Sequence, residues 1–165
     1  INVKLNSVLL IILCLALAGC SNKRVSVTQL INEKASIRGE LPFNPFQLEV
    51  ITVSVNGKES TMSTLYGNEI AVRQARTDSQ QRYPAGSQLA LVTWSQQEDE
   101  HWFGARIPGA IKSVEFVTII GLEPRAHEYS YQLYEGAPLK FSTVDQGRRD
   151  ERINYLLKQR PLVMP

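Results

Sequence analysis

Apolar and polar positions divide this chain into a leader and a domain with a strand rhythm. The longest apolar run comes first, Val8-Leu9-Leu10-Ile11-Ile12-Leu13 and then Leu15-Ala16-Leu17. From Val8 to Gly19 it is too short to span a bilayer comfortably. Residues 21 to 45 are polar at first and then contain Pro42 and Pro45. They read as a tether to about Arg38, with one short helix or strand around Val25 to Ile31. Domain material is expected from near Phe46. Ile51, Val53 and Val55 alternate with Thr52 and Ser54, a period-two strand. Asn56-Gly57 follows, the strongest short hairpin signal, because both residues tolerate positive φ. Residues 58–65 should return as the paired strand.

Asn68 is placed to cap a helix over 69–77 with Ile70, Val72 and Ala75 as its apolar positions. Tyr83-Pro84-Ala85-Gly86 is a turn. Residues 89–94 are apolar on both faces, as in a central strand. Residues 102–107 and 113–120 read as two further strands separated by Pro108-Gly109, and 128–135 as another. A last helix is expected over about 150–159, with Ile153, Leu156 and Leu157 as its stripe and Pro161 as its stop. The expected fold class is α+β: a curved antiparallel sheet with one packed helix and a C-terminal helix.

The leader changes the picture. Lys4, the short apolar run and Leu17-Ala18-Gly19-Cys20 form a basic region, a hydrophobic region and a small-residue cleavage site. The tetrapeptide reads as a lipobox, so Cys20 should head the mature protein and carry lipid, palmitate included. The expected division is a lipoprotein signal peptide over 1–19, a lipidated N-terminus and tether over 20–45, and the domain over 46–165. Ser21, where Asp would signal inner-membrane retention, favours the outer membrane, with the domain facing the periplasm. Removing the leader leaves 146 of 165 residues, enough for one hydrophobic core. Losing Lys4 takes the 18 basic residues to 17 against 16 acidic ones, a balance of +1. That argues against nucleic acid as a partner and leaves membrane attachment to acyl chains. The two cysteines are Cys14 and Cys20. The first leaves with the signal and the second is lipidated, so the mature domain has no disulfide, thiol nucleophile or Cys-based metal site.

Candidate chemistry is sparse. Glu98, Asp99, Glu100 and His101 resemble a metal cluster, but neighbours on an extended chain point to opposite faces, and a solvated acidic turn is the better reading. His127 beside Glu128 reads as exposed polar surface. No G-x-S-x-G elbow, Gly-rich phosphate loop or carboxylate pair is present. Hence no catalytic residue and no metal ligand is assigned. Glu115 stands out inside the apolar strand beside Phe116. It either faces solvent or is buried with a partner, for which Lys112, Arg106 or Arg73 is available; in a cleft, a buried paired acid is a site candidate. Tyr66, Trp94, Trp102, Phe103 and Phe116 either fill the core or line a pocket for a flat ligand.

Several stretches together carry a resemblance. They are Tyr66-Gly67-Asn68-Glu69-Ile70-Ala71 with Arg73 and Ala75, and Tyr83-Pro84-Ala85-Gly86-Ser87 with Leu89-Ala90 and Val92-Thr93-Trp94. Trp102-Phe103-Gly104-Ala105 and Val114-Glu115-Phe116-Val117 complete the set. Over roughly residues 60–135 the order and spacing resemble the cytochrome P-460 family, periplasmic proteins with a mainly antiparallel β fold. The resemblance implies c-type haem on a C-x-x-C-H motif near the C-terminus, a lysine cross-linked to that haem, and oxidation of hydroxylamine or binding of nitric oxide. This sequence holds no C-x-x-C-H, so it lacks the thioether cysteines and the proximal His. What carries over is the scaffold and a pocket whose wall would include Tyr66, Trp94, Trp102 and Phe103, with Glu115 and Arg73 as polar anchors. The expectation is an envelope lipoprotein that binds a small molecule or acts as an accessory, without catalysis. The alternative is an enzyme or sensor for small nitrogen species that holds haem non-covalently through His101 or His127.

Overall fold

The computed structural model describes residues 31–77, 83–121 and 128–161. The lipobox with Cys20 and the second histidine, His127, lie outside the described residues. The chain divides into a unit over Ile1–Asn32 and a unit over Glu33–Pro165, and the fold described is that of the second.

Six strands form one open sheet in sequence order, each antiparallel to its neighbour: β1 (Glu49–Asn56), β2 (Thr61–Gly67), β3 (Gln88–Glu98), β4 (Arg106–Ile119), β5 (Tyr129–Glu135) and β6 (Lys140–Ser142). Helix α1 (Glu69–Thr77) joins β2 to β3, and α2 (Gln146–Leu157) follows β6. This is the expected α+β class with a curved antiparallel sheet and two helices.

Alternation along the strands produces two cores. Leu65, Leu89, Leu91, Val117 and Ile119 point to one face and pack with Ala71, Val72 and Ala75 of α1 and Ile153 and Leu156 of α2. Ala90, Val92, Trp94, Val114 and Phe116 point to the other face. Among the described residues, neither α1 nor α2 covers that second face. Ala35, Ile37, Leu41, Phe43 and Leu48 of the N-terminal segment lie against it instead. Domain packing therefore begins well before Phe46, inside the stretch that reads as tether. Ala35, Ile37, Leu41 and Phe43 keep a two-residue spacing, but Gly39 interrupts it and Pro42 and Pro45 argue against a strand, so the stretch reads as tether.

Local chemistry explains most boundaries. The Asn68 side-chain oxygen accepts from the Ala71 N–H and so caps α1, and also accepts from the Gln88 N–H. Its amide nitrogen donates to the Gly86 carbonyl, which ties the cap to the start of β3. The Asp145 carboxylate accepts from the Arg148 N–H, so α2 starts four residues before the expected 150. The β1–β2 turn differs from the expected tight Asn-Gly turn. Asn56 already pairs with Thr61, its side chain accepts from the N–H groups of Lys58 and Glu59, and the positive φ falls on Ser60.

The β3–β4 hairpin is the main correction. Residues 102–105 are not a strand: β4 begins at Arg106 and runs through Pro108-Gly109 without a break. Pro108 costs one ladder donor, and register shifts on either side of Trp94 absorb the mismatch. Glycine suits position 109, because a Cβ would stand 2.7 Å from the Ser95 hydroxyl and 3.2 Å from the Ser95 carbonyl oxygen.

Candidate functional site

The helix-bearing face of the sheet is apolar at one end and polar at the other. Moving along β2 from Leu65 to Ser63 and Thr61, or along β3 from Leu91 to Thr93, keeps the same face and changes oil for hydroxyl. Ser63 and Thr93 sit opposite each other with their hydroxyls 3.1 Å apart, and Thr93 is opposite Ser113 on β4. Glu115 is next along β4, between Leu91 and Leu133 of the flanking strands. Helix α2 covers the apolar end, and its Arg152 reaches the boundary.

Glu115 is buried with a partner, the second of its two sequence readings. The partner is none of Lys112, Arg106 and Arg73. Arg152 grips it with both ends of the guanidinium: Nε donates to Oε2 at 2.9 Å and Nη2 to Oε1 at 2.7 Å. The Tyr131 hydroxyl, from β5, donates to the same Oε2 at 2.8 Å. The Glu115 side chain is 4% exposed and that of Arg152 31%. The guanidinium also lies over the Tyr155 ring, 4.6 Å from its centre.

Electrostatics follow from this geometry. Burial, and then the adjacent Glu115 charge, push the Tyr131 phenol well above the ordinary tyrosine range, so it stays a neutral donor. The hydrogen bond to Glu115 holds the Arg152 proton still more firmly than usual.

Two grooves meet at Arg152. One, of about 360 Å³, is lined by Thr61, Thr93, Lys112, Ser113, Glu135 and Arg148 together with the Glu115 network. Its neighbour, of about 750 Å³, adds Ser54, Asn56, Lys58, Ser63 and Tyr155, and the two share Glu59, Thr61, Thr93 and Arg152. Both oxygens of Glu115 are occupied, so it is poorly placed to move a proton. Arg152 spends two of its five N–H groups on Glu115 and keeps others for the groove. The lining mixes hydroxyls, lysine and arginine cations and glutamates, a surface rich in hydrogen-bond donors and acceptors. Among the described residues no group of three or more His, Cys, Asp and Glu is arranged to hold a metal ion.

The four aromatics expected to form a pocket wall do not meet. Tyr66 and Trp94 belong to the opposite face of the sheet from Glu115. Both lie against Phe46, whose ring is 5.8 Å from that of Tyr66 and stacked 6.3 Å from that of Trp94. The indole N–H of Trp94 donates to the Ala35 carbonyl at 3.0 Å. This is filled core. Trp102 is 72% exposed and Phe103 fully so, both on the β3–β4 loop. Arg73 is exposed on α1 and pairs with Glu69 one turn away. Of the expected set, Glu115 alone borders either of these two grooves. Sequence reasoning does not single out Arg152 or Tyr131, although one signal for them exists. Glu115 shares a strand face with Val117 and Ile119, and a buried acid needs a cation; α2 supplies Arg148, Arg149 and Arg152.

Residues 46–120 match the family described as cytochrome P460. The match runs from just before β1 to just after β4. It contains Glu115 and leaves Tyr131 and Arg152 outside. No curated protein matches the chain. The family normally binds haem. The Glu33–Pro165 unit holds no cysteine for thioether attachment. His101 is 86% exposed, beside Asp99 on the β3–β4 loop, and borders neither groove. The groove floor is hydroxyl and charge where a porphyrin face needs apolar cover. The described residues do not fit covalently attached haem.

Proposed function

We propose that this cytochrome P460-family domain is a lipid-anchored envelope protein that binds a small polar molecule beside Arg152 and performs no catalysis on it. The carrying observation is the closed Glu115–Arg152–Tyr131 network at the junction of two hydroxyl-lined grooves. It fixes a cation that borders both grooves and keeps N–H groups beyond those given to Glu115, and it engages both oxygens of Glu115, which is thereby poorly placed to act as a base. Mixed donors and acceptors around it suit a ligand that both donates and accepts hydrogen bonds, such as a small sugar, an amino acid or a hydroxy acid. The lipobox supports attachment through acyl chains on Cys20, and Ser21 supports the outer membrane.

The test is thermal unfolding of purified full-length protein against sugars, amino acids and hydroxy acids. A ligand at 100 times its Kd stabilises by about 2.7 kcal/mol. The stabilisation should vanish in Thr93→Val/Ser113→Val, which strips the groove floor and spares the Arg152 network. A panel that leaves the midpoint unmoved, or a shift that survives this double substitution, refutes the groove. Palmitate labelling of wild type and Cys20→Ala tests the anchor separately.

The family match supports a second reading, haem held without covalent bonds. A haemin titration that yields a Soret band, lost in His101→Ala or in His127→Ala, would favour it over the polar ligand.

A further inference from the structure

The β3–β4 hairpin reaches beyond the rest of the sheet. On one side β2 ends its pairing at Thr61–Ser95, with one more bond from the Gln96 N–H to the Ser60 carbonyl. On the other side β5 ends at Glu135–Ser113. Past these points the hairpin pairs only with itself, Gln97 with Ile107 and Glu98 with Arg106. The loop that closes it is ordered by its own bonds. The Asp99 N–H donates to the Ala105 carbonyl and the Ala105 N–H to the Trp102 carbonyl, while Gly104 takes a positive φ of 79°. The Asp99 carboxylate accepts from the His101 N–H. A built loop thus presents two large aromatic side chains, Trp102 and Phe103, to the outside at the far end of a finger.

The start of the domain lies at the same end of the sheet. Glu33 and Lys34 line a groove with Ala110, Ile111 and Pro138, and Ala35 holds Trp94. From Ile111 to Arg106 β4 advances five residues, about 17 Å at strand rise. Thirteen residue steps separate Cys20 from Glu33, and a chain of that length spans at most about 47 Å. Acyl chains on Cys20 are thus held within reach of the surface that the finger touches. Trp and Phe are side chains that settle at a membrane–water interface.

The geometry points to the Trp102–Phe103 tip as a membrane-contact element, which inserts into the headgroup region of the bilayer that holds the anchor. This rests on the lipid anchor proposed above. Charge selects the kind of surface. Glu98, Asp99 and Glu100 against Arg106 give the finger a balance of −2, with His101 neutral. Anionic headgroups repel it, so the partner is a zwitterionic surface such as phosphatidylethanolamine or phosphatidylcholine. Two points of attachment, one covalent and one aromatic, orient the domain on the membrane where a tether alone would let it tumble.

The chain contains two tryptophans, and Trp94 is buried, so the difference between wild type and Trp102→Phe isolates the emission of Trp102. Full-length lipidated protein is reconstituted into phosphatidylcholine vesicles with and without bromine on the acyl chains. The Trp102 component should be blue-shifted and should be lost to bromine quenching. Replacing part of the phosphatidylcholine by phosphatidylglycerol should restore some of it. Protein that floats with the vesicles while Trp102 keeps a water-like, unquenched emission overturns the finger and leaves the anchor standing. An N-terminal peptide that carries no acyl mass overturns the anchor, and the membrane role of the finger falls with it. Unquenched Trp102 with self-association that Trp102→Phe abolishes assigns the tip to a second copy, which also overturns the proposal.

Discussion

Replacing Arg152 by Met tests whether the Glu115 network is a buried ion pair or a surface contact. Met keeps much of the arginine stem and its packing on α2 while removing the guanidinium. Glu115, 4% exposed, would keep the Tyr131 hydroxyl and lose two charge-assisted bonds of 2.9 and 2.7 Å. Removing one partner of a buried pair costs about 3–5 kcal/mol, chiefly the penalty of the stranded charge. Arg152 itself is 31% exposed, so water can enter where the guanidinium was. That places the loss at the low end, about 3 kcal/mol. At a urea dependence of about 2 kcal/mol per molar, the midpoint should fall by about 1.5 M.

The second arm removes both charges. Glu115→Leu with Arg152→Met leaves no stranded ion, and such exchanges are often neutral or mildly stabilising. The double variant should therefore recover most of what Arg152→Met loses. Urea unfolding of the wild type, both single variants and the double variant closes a double-mutant cycle. An Arg152→Met midpoint equal to wild type would show that the bidentate geometry contributes nothing. A double variant as unstable as the sum of the singles would show that the two residues do not interact. Either result refutes the account of the site.

The Tyr83 hydroxyl is buried without a hydrogen-bond partner among the described residues, so Tyr83→Phe should stabilise by about 1 kcal/mol, read as a higher urea midpoint. The same burial pushes the Tyr83 phenol up to about 12 from 10. A folded pKa raised above the unfolded one gives stability that is complete below pH 10 and is lost as pH rises toward 12, by about 2.7 kcal/mol for two units. Wild type should therefore lose more stability than Tyr83→Phe between pH 10 and 12, with Tyr131 adding a loss common to both; equal losses would count against the buried phenol. Trp94→Ala should cost about 3–5 kcal/mol in a urea titration, because the indole fills the core beside Phe46 and bonds Ala35. A cost below about 1 kcal/mol would revive a void beside Trp94.

The elements legible in the sequence are those whose signal is local. Helix α1 falls on its expected residues because Asn68 and a short apolar stripe lie within one stretch. Strand β3 announces itself because both faces are apolar. Pro108-Gly109 misleads, since a proline normally interrupts a ladder, yet register shifts opposite Trp94 let β4 carry it. Aromatic chemistry misleads in the same way at Trp102 and Phe103: large rings suggest interior, and only the length of the hairpin past its neighbours puts them outside. The site depends on long-range pairing. Glu115 and Arg152 are 37 positions apart, and no period links them. What the sequence does show is the demand for a partner, from an acid on the same strand face as Val117 and Ile119.

The boundary of the family match falls across that pair. Strands β1 to β4 and helix α1 lie inside residues 46–120 and supply the hydroxyl floor and Glu115. Tyr131 and Arg152 come from β5 and α2, beyond the match. In the family that the sequence resembles, the region near the C-terminus carries the haem motif. Here α2 brings arginine to the face. A carboxylate facing a haem pocket could work as a proton acceptor or as a partner to a bound ligand. The same carboxylate closed on both oxygens by Arg152 and Tyr131 does neither. It becomes a clamp that pins α2 to the sheet and aims a cation into the grooves.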